Sequence, residues 1–226
     1  MMSEIPCVIL AGGRSARMGA DKCFLDFKAK SLIEWQFEKM SKLFASVFIS
    51  CKADKFGGKF GEKTLIFDEN LEFLSQNSKN SLNSNLNSQS ANLNANLAKP
   101  KREKMADFSS MLALYSVLKA FENKFVFIIG VDTPFVSEKS IQRLILSANE
   151  ALMIVPSVAN RAHFLCALYH SQIAPLCLKC LQNGVHKIST LSQNLPPNAL
   201  KFVEFSDENE FFNLNTPQDY ERIKNA

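Results

Sequence analysis

An α/β protein with one mostly parallel sheet, layered helix on sheet on helix, is the fold class this sequence predicts. Three observations predict it. Short β-like runs recur at 5–10, 46–51, 64–67, 125–130, 152–155, 164–169 and 200–205. Helical patterns occupy most of the intervals between them, and parallel neighbours need crossovers of the kind helices supply. With 226 residues, 46% of them hydrophobic, the chain can bury one ample core, so a single domain over 1–226 is expected.

The elements follow in order. The apolar run Ile5 to Leu10 is the first strand and opens directly onto Ala11-Gly12-Gly13. Ser31-Leu32-Ile33-Glu34 is a capping-box signature, and Ile33, Phe37, Met40 and Phe44 recur at helical spacing, which predicts a helix over 32–44. Met111, Leu114, Leu118 and Phe121 mark a second helical stripe; Ile141, Leu144 and Ile145 mark a third behind a Ser137 cap. A helix over 172–183 stops at Asn183-Gly184, a pair suited to a left-handed C-terminal cap, and Pro217 occupies the first position of the last helix.

Residues 75–98 differ in kind. Fourteen of these twenty-four are Asn or Ser, followed by the charged stretch 99–104, and such a composition cannot bury enough apolar surface to offset its ordering entropy. A disordered insertion at 75–104 is expected. Leu82, Leu86, Leu93 and Leu97 fall at spacings that would also suit a partner-induced helix, although Asn and Ser are weak helix formers.

The formal charge of +4 suits a polyanionic small ligand. It comes without the dense basic stripe and interleaved aromatics of a nucleic-acid surface, so no nucleic-acid partner is expected. No cationic leader or transmembrane-length apolar run is present, which predicts a cytoplasmic protein with no membrane association. The six cysteines are scattered, and reduced thiols are the default. Cys177 and Cys180 form one C-x-x-C inside an apolar run with no second pair at zinc spacing, which favours core packing.

Chemistry concentrates in two places. After the first strand, Ala11-Gly12-Gly13 exposes backbone N–H groups without Cβ obstruction, and Arg14, Arg17 and Lys22 bring cations to the same loop, a grip suited to a triphosphate. A basic surface turn is the plain alternative for the glycine pair alone. Arg17-Met18-Gly19 and Asp21-Lys22 at fixed offsets make the pattern longer than a pair. Gly130-Val131-Asp132-Thr133-Pro134 then ends the most hydrophobic strand with one carboxylate. Asp132 reads equally as a hard-oxygen Mg²⁺ ligand shared with phosphate oxygens and as a turn former or helix cap. Asp68, at the end of Leu65-Ile66-Phe67, is a second candidate of the same type. In parallel sheets ligands bind beyond the carboxyl ends of the strands, where the signature loop and Asp132 both fall.

The segment LAGGRSARMGADK resembles the signature of nucleotidyltransferases, and within them that of the molybdenum cofactor guanylyltransferases. Gly12, where related transferases usually carry a second Ala, and Asp21, where they often carry Pro, point to guanine. The resemblance implies a Rossmann-like nucleotidyltransferase fold, a nucleotide held by Leu10, Ala11, Gly12, Gly13, Lys22, Asp68 and Asp132, and Mg²⁺ on Asp132. It implies that Lys22 neutralises phosphates and that Arg17 assists the departing pyrophosphate, while Arg14 reads as part of a solvated face. Arg161-Ala162-His163 and Asn213-Leu214-Asn215-Thr216-Pro217-Gln218-Asp219 are similar to the family's pterin-side segments, which makes His163 and Asn215 candidates for substrate contact. As residues alone, His163 is more often structural and Asn215 more often a helix cap. The implied substrates are GTP and molybdenum-molybdopterin, with other cofactor-biosynthesis proteins or acceptor molybdoenzymes as further partners.

Two departures stand out. The family's Gly-Pro-Leu-x-Gly stretch is missing and Asp107 to Leu112 stands in its place, and Ser50 replaces a frequent Asn. A cytidylyl- or other nucleotidyltransferase and a non-catalytic cofactor-binding protein remain the rival readings.

Overall fold

The computed structural model describes residues 2–13, 18–69, 109–148 and 151–224. Its elements in chain order are β1 (Cys7–Leu10), β2 (Asp26–Phe27), β3 (Lys30–Ser31), α1 (Leu32–Ser41), β4 (Val47–Cys51), β5 (Leu65–Phe67), α2 (Ser110–Lys119), β6 (Phe125–Gly130), α3 (Glu138–Leu146), β7 (Met153–Val158), β8 (Arg161–Ala162), β9 (Cys166–His170), α4 (Ala174–Gln182), β10 (Leu200–Phe205) and α5 (Pro217–Lys224). The main sheet runs β10-β7-β9-β6-β1-β4-β5, with β8 paired to β7.

β1 lies inside this sheet, parallel to β4 on one side and β6 on the other. Its residues alternate between two cores because successive side chains of a strand point to opposite faces. Cys7 and Ile9 join the layer of α1, α3 and α5, while Val8 and Leu10 join that of α2 and α4. The three layers expected from the sequence are present. α2 is buried at every position from Met111 to Leu118, which explains why its sequence reads as more apolar than one stripe would need.

One strand reverses direction. β9 is antiparallel to both β6 and β7. Only residues 159–165 separate β7 from β9, fewer than the dozen or so a parallel crossover needs. β7 also extends past Val155, where the sequence pattern ends. Pro156 is accommodated because pairing with β9 stops at Ile154, so its missing N–H interrupts no bond on that side. β2 and β3 form a two-residue hairpin that the strand pattern misses, turning on Lys28 and Ala29 at φ 51° and 61°.

The helix ends follow their sequence signals with one shift. Ser31 N–H donates to Glu34 Oε2 at 2.9 Å as a capping box requires, but α1 ends at Ser41 rather than at 44. Phe44 stays beneath the sheet, its N–H donating to Met40 O at 2.9 Å and its ring stacked on Phe127 at 5.3 Å. Ser137 caps α3 by accepting from Ser140 N–H at 3.1 Å. After α4, Gly184 at φ 73° allows Val185 N–H to reach Cys180 O at 2.9 Å and Gly184 N–H to reach Leu181 O at 3.0 Å, the paired bonds of a Schellman motif. Cys177 and Cys180 pack in the α2–α4 core as expected, and all six cysteines are buried and free. Among the described residues no helix is long and apolar enough to cross a membrane. The insertion expected at 75–104 lies outside the described residues.

Candidate functional site

Register places the site. Leu10 pairs with Gly130 on one side and Ser50 on the other, and Cys51 pairs with Phe67, so β1, β4, β5 and β6 end at one rim. β1 is also where strand order turns from one direction of the sheet to the other, the position at which open α/β sheets bind ligands. A cleft of about 460 Å³ opens there, lined among others by Leu10, Ala11, Gly12, Gly13, Lys22, Asp68 and Asp132. Every nucleotide-binding residue proposed from the sequence therefore faces one cavity.

Three segments far apart in sequence meet at Lys22. Its Nζ donates to Asp132 Oδ2 at 2.8 Å and to Asn215 Oδ1 at 3.0 Å. The side chains of Lys22 and Asp132 are only 13% and 18% exposed, so their pair is screened far less than a surface one. The end of β6 is tied on both sides: Val131 N–H donates to Leu10 O at 3.1 Å and Leu214 N–H to Asp132 O at 2.9 Å. Gly130 is required by close approach, because a Cβ there would lie 2.5 Å from Asp132 Oδ1. The carboxylate folds back over the glycine and is thereby aimed into the cleft.

Asp68 follows β5, with its N–H donating to Cys51 O at 3.1 Å and its Oδ1 accepting from Ser50 Oγ at 3.3 Å. Burial pushes its carboxyl above the ordinary value; the Ser50 hydrogen bond and the Lys52 charge pull the other way and do not fully offset it. Ser50, the departure from the family pattern, thus still supplies one donor to the site. Gly12 faces the same carboxylate: a Cβ on it would stand 3.9 Å from Asp68 Oδ2, an ordinary contact.

Asn215 is not the helix cap. Thr216 is, accepting from Asp219 N–H at 3.2 Å, while Asp219 Oδ2 accepts the N–H groups of Asn215 and Thr216 at 2.9 and 2.8 Å. That reciprocal box holds the Asn215 backbone and leaves its side chain for Lys22. His163 lies in a second cleft of about 230 Å³ with Arg161 and Asn213. Its ring is half-buried and packs 5.2 Å from Phe211, and burial, aided by the Arg161 charge, lowers its pKa. His163 is therefore both a packed rim residue and a cleft-lining one. Arg14 and Arg17 lie outside the described residues.

Several contributors escaped the sequence reading. Lys55 donates to Asp21 Oδ2 at 2.6 Å and to Ala11 O at 2.9 Å, clamping the two ends of the signature loop together. Asp21 Oδ1 meanwhile accepts Cys23 N–H at 3.0 Å and so orders the short turn that carries Lys22. Burial raises the Asp21 carboxyl, but Lys55 and Cys23 together outweigh it and hold it below the ordinary value. Lys39 donates to the carbonyls of Pro134 and Val136 at 2.7 and 2.6 Å, fixing the turn behind Asp132. Lys55 lies in a polar stretch with no motif and Lys39 between the apolar positions of a helical stripe, so no local pattern singles either out. The divergent segment still reaches the site, since Ser109, Ser110 and Ala113 line the main cleft beside His186 and Lys187. Ser109 Oγ lies 3.2 Å from His186 Nδ1 but also accepts Leu112 N–H at 3.1 Å as the α2 cap.

The donor set fits a hard cation completed by its substrate. Among the described residues no three His, Cys, Asp or Glu side chains form a ready cage. Asp132 presents carboxylate oxygen at the cleft lined by the bare Gly12-Gly13 backbone, and Mg²⁺ is ordinarily held by one or two carboxylates together with phosphate oxygens and water.

Known proteins resemble this one over most of its length. The family described as MobA-like NTP transferase domain matches residues 7–196. A molybdenum cofactor guanylyltransferase of Campylobacter jejuni subsp. jejuni serotype O:6 (strain 81116 / NCTC 11828) is 35% identical over 225 residues, covering 99% of this chain and 97% of that protein. One from Helicobacter pylori (strain G27) is 27% identical, covering 98% and 92%. The crystal structure of molybdopterin-guanine dinucleotide biosynthesis protein A from Archaeoglobus fulgidus superimposes with a TM-score of 0.68 at 20% identity, covering 98% of this chain and 97% of that one, a likeness that speaks for the fold.

Proposed function

This chain belongs to the MobA-like NTP transferase domain family, and from that premise we propose that it transfers the GMP part of GTP to the terminal phosphate of molybdenum-loaded molybdopterin, releasing pyrophosphate. The observation that carries the reading is the meeting of Lys22, Asp132 and Asn215 at the lip formed by Leu10 to Gly13. Nucleophile, reacting phosphorus and leaving group in this reaction are all anionic, so charge neutralisation is the main demand on the protein.

The residues divide that work. Backbone N–H groups of the Ala11-Gly12-Gly13 turn cradle the phosphates, and the Lys22 ammonium follows the charge as it moves onto the leaving pyrophosphate. Arg17 assists that departure. Asp132, with Asp68 nearby, would hold Mg²⁺, which when bound supplies a second positive charge across the phosphate oxygens. Asn215 keeps Lys22 aligned with Asp132, and His163 with Arg161 faces the acceptor in the adjoining cleft. The attacking oxygen is already ionised, so direct in-line attack needs neither a general base nor a covalent enzyme intermediate. In this reading the protein acts in the cytoplasm and passes its product to other cofactor-biosynthesis proteins or acceptor molybdoenzymes.

A pyrophosphate-release assay with molybdenum-loaded molybdopterin tests the reading, run with GTP, CTP, UTP and ATP, each with and without Mg²⁺. Release selective for GTP and abolished by chelation is expected. Preference for CTP or UTP would replace guanylyl transfer with another nucleotidyl transfer, and nucleotide binding without release would leave a carrier.

A further inference from the structure

The main cleft continues into the second one. Ser110, Leu165 and Lys187 line both. If one cleft takes the nucleotide and the other the acceptor, the attacking phosphate and the α-phosphorus must meet at this junction. Of the three shared residues one is apolar, and one is a serine whose hydroxyl already donates to His186 O at 3.3 Å. The third is a cation.

The side chain of Lys187 has no local structural duty. The residue is exposed and occupies the N-cap position of the short 3₁₀ helix Ile188–Gln193, where it makes no side-chain capping bond. A lysine cannot cap a helix start, since that position needs an acceptor and an ammonium only donates. The Lys187 carbonyl accepts Thr190 N–H at 3.2 Å, but among the described residues its ammonium makes no ion pair or hydrogen bond. Its backbone, in contrast, is fixed. The Schellman motif after α4 sends the chain toward α2, and His186 O accepts Met111 N–H at 3.1 Å together with the Ser109 and Ser110 hydroxyls. A residue of the wrong type for its local position, held firmly at a cleft junction, is what a binding role leaves behind.

We propose that Lys187 holds the attacking phosphate of the acceptor, an assignment that rests on the nucleotidyl-transfer reading. Lys22 lines only the nucleotide cleft and serves the donor triphosphate; Lys187 lines both and serves the acceptor. In the step, an acceptor phosphate oxygen forms a bond to the α-phosphorus. The bond from that phosphorus to the α–β bridging oxygen breaks, and its electron pair leaves with pyrophosphate. Lys187 offsets the repulsion between the two incoming anions and exchanges no proton.

Steady-state kinetics of the full chain test this, with GTP and molybdenum-loaded molybdopterin varied separately. Lys187→Met is expected to raise the acceptor KM by roughly tenfold or more, as losing a charge-assisted contact to phosphate does. The GTP KM and the Tm should stay close to wild type, and Lys187→Arg should recover most of the loss. An unchanged acceptor KM, or an equal rise in both KM values, would overturn the assignment. Titration of molybdopterin alone, followed by pterin fluorescence, reads Lys187 without turnover. If the wild-type protein releases no pyrophosphate, the transferase reading fails, while weaker pterin binding by Lys187→Met still supports the contact and equal binding rejects it.

Discussion

At the scale of single residues, Lys22 is the most consequential. Its ammonium bridges a carboxylate from one strand end and an amide from the C-terminal segment, so replacing it removes a phosphate donor and leaves Asp132 without its partner. Lys22→Ala is expected to lower turnover by roughly a hundredfold or more in the pyrophosphate assay. Gly130 acts through the same carboxylate. In Gly130→Ala the new methyl would meet Asp132 Oδ1 at 2.5 Å, so the carboxylate must move; turnover should fall by roughly tenfold or more while circular dichroism stays native. Asp68 carries the opposite balance of stability and function. Burial raises its folded-state pKa, so folding favours the protonated form, and above that value the buried charge costs stability. Asp68→Asn should therefore raise the Tm at pH 7, with the gain vanishing below the ordinary carboxylate value, and should weaken GTP use. A lower Tm at pH 7 would contradict this account.

At the scale of elements, the turn after β6 depends on α1. Lys39 reaches from that helix to the Pro134 and Val136 carbonyls, and burial lowers its pKa from 10.5 to about 8. The unfolded chain holds this proton more tightly than the folded one, so the contribution of Lys39 to stability rises as pH climbs from about 8 to 10.5. Urea unfolding of wild type and Lys39→Met should show wild type gaining on the variant across that window; parallel profiles would count against it. Most elements were legible in the sequence because their signals are local. The Ser137 cap, the Gly184 stop and Pro217 at the start of α5 each specify an end within a few residues. The direction of β9 and the β2–β3 hairpin were not, since the first follows from a short connection and the second from two left-handed non-glycine residues that no apolar pattern marks. The same divide runs through the site. Lys22, Asp68 and Asp132 stand at strand ends or in a motif, whereas Lys55, Lys39 and Lys187 gain their places only through tertiary contacts.

At the scale of the whole molecule, one sheet rim gathers the termini of four strands and a loop from near the C-terminus, so the cleft is a property of the complete fold. Residues 76–98 enter after β5 and lie outside the described residues; their composition predicts no part in the core. Deleting them is expected to leave pyrophosphate release within a few fold of wild type, because an Asn- and Ser-rich stretch contributes little buried surface. A far larger loss at preserved Tm would make the insertion part of the site.

Lys22 and Asn215 are separated by 193 positions, and Lys22 and Asp132 by 110. Contacts of such high order form late, after the loop entropy between them has been overcome. Competence for chemistry should accordingly be among the last properties a refolding chain acquires. A nascent chain still short of residue 213 would carry the glycine lip and both aspartates yet lack the amide that steadies their lysine, which delays a working grip on the triphosphate until that last segment has arrived.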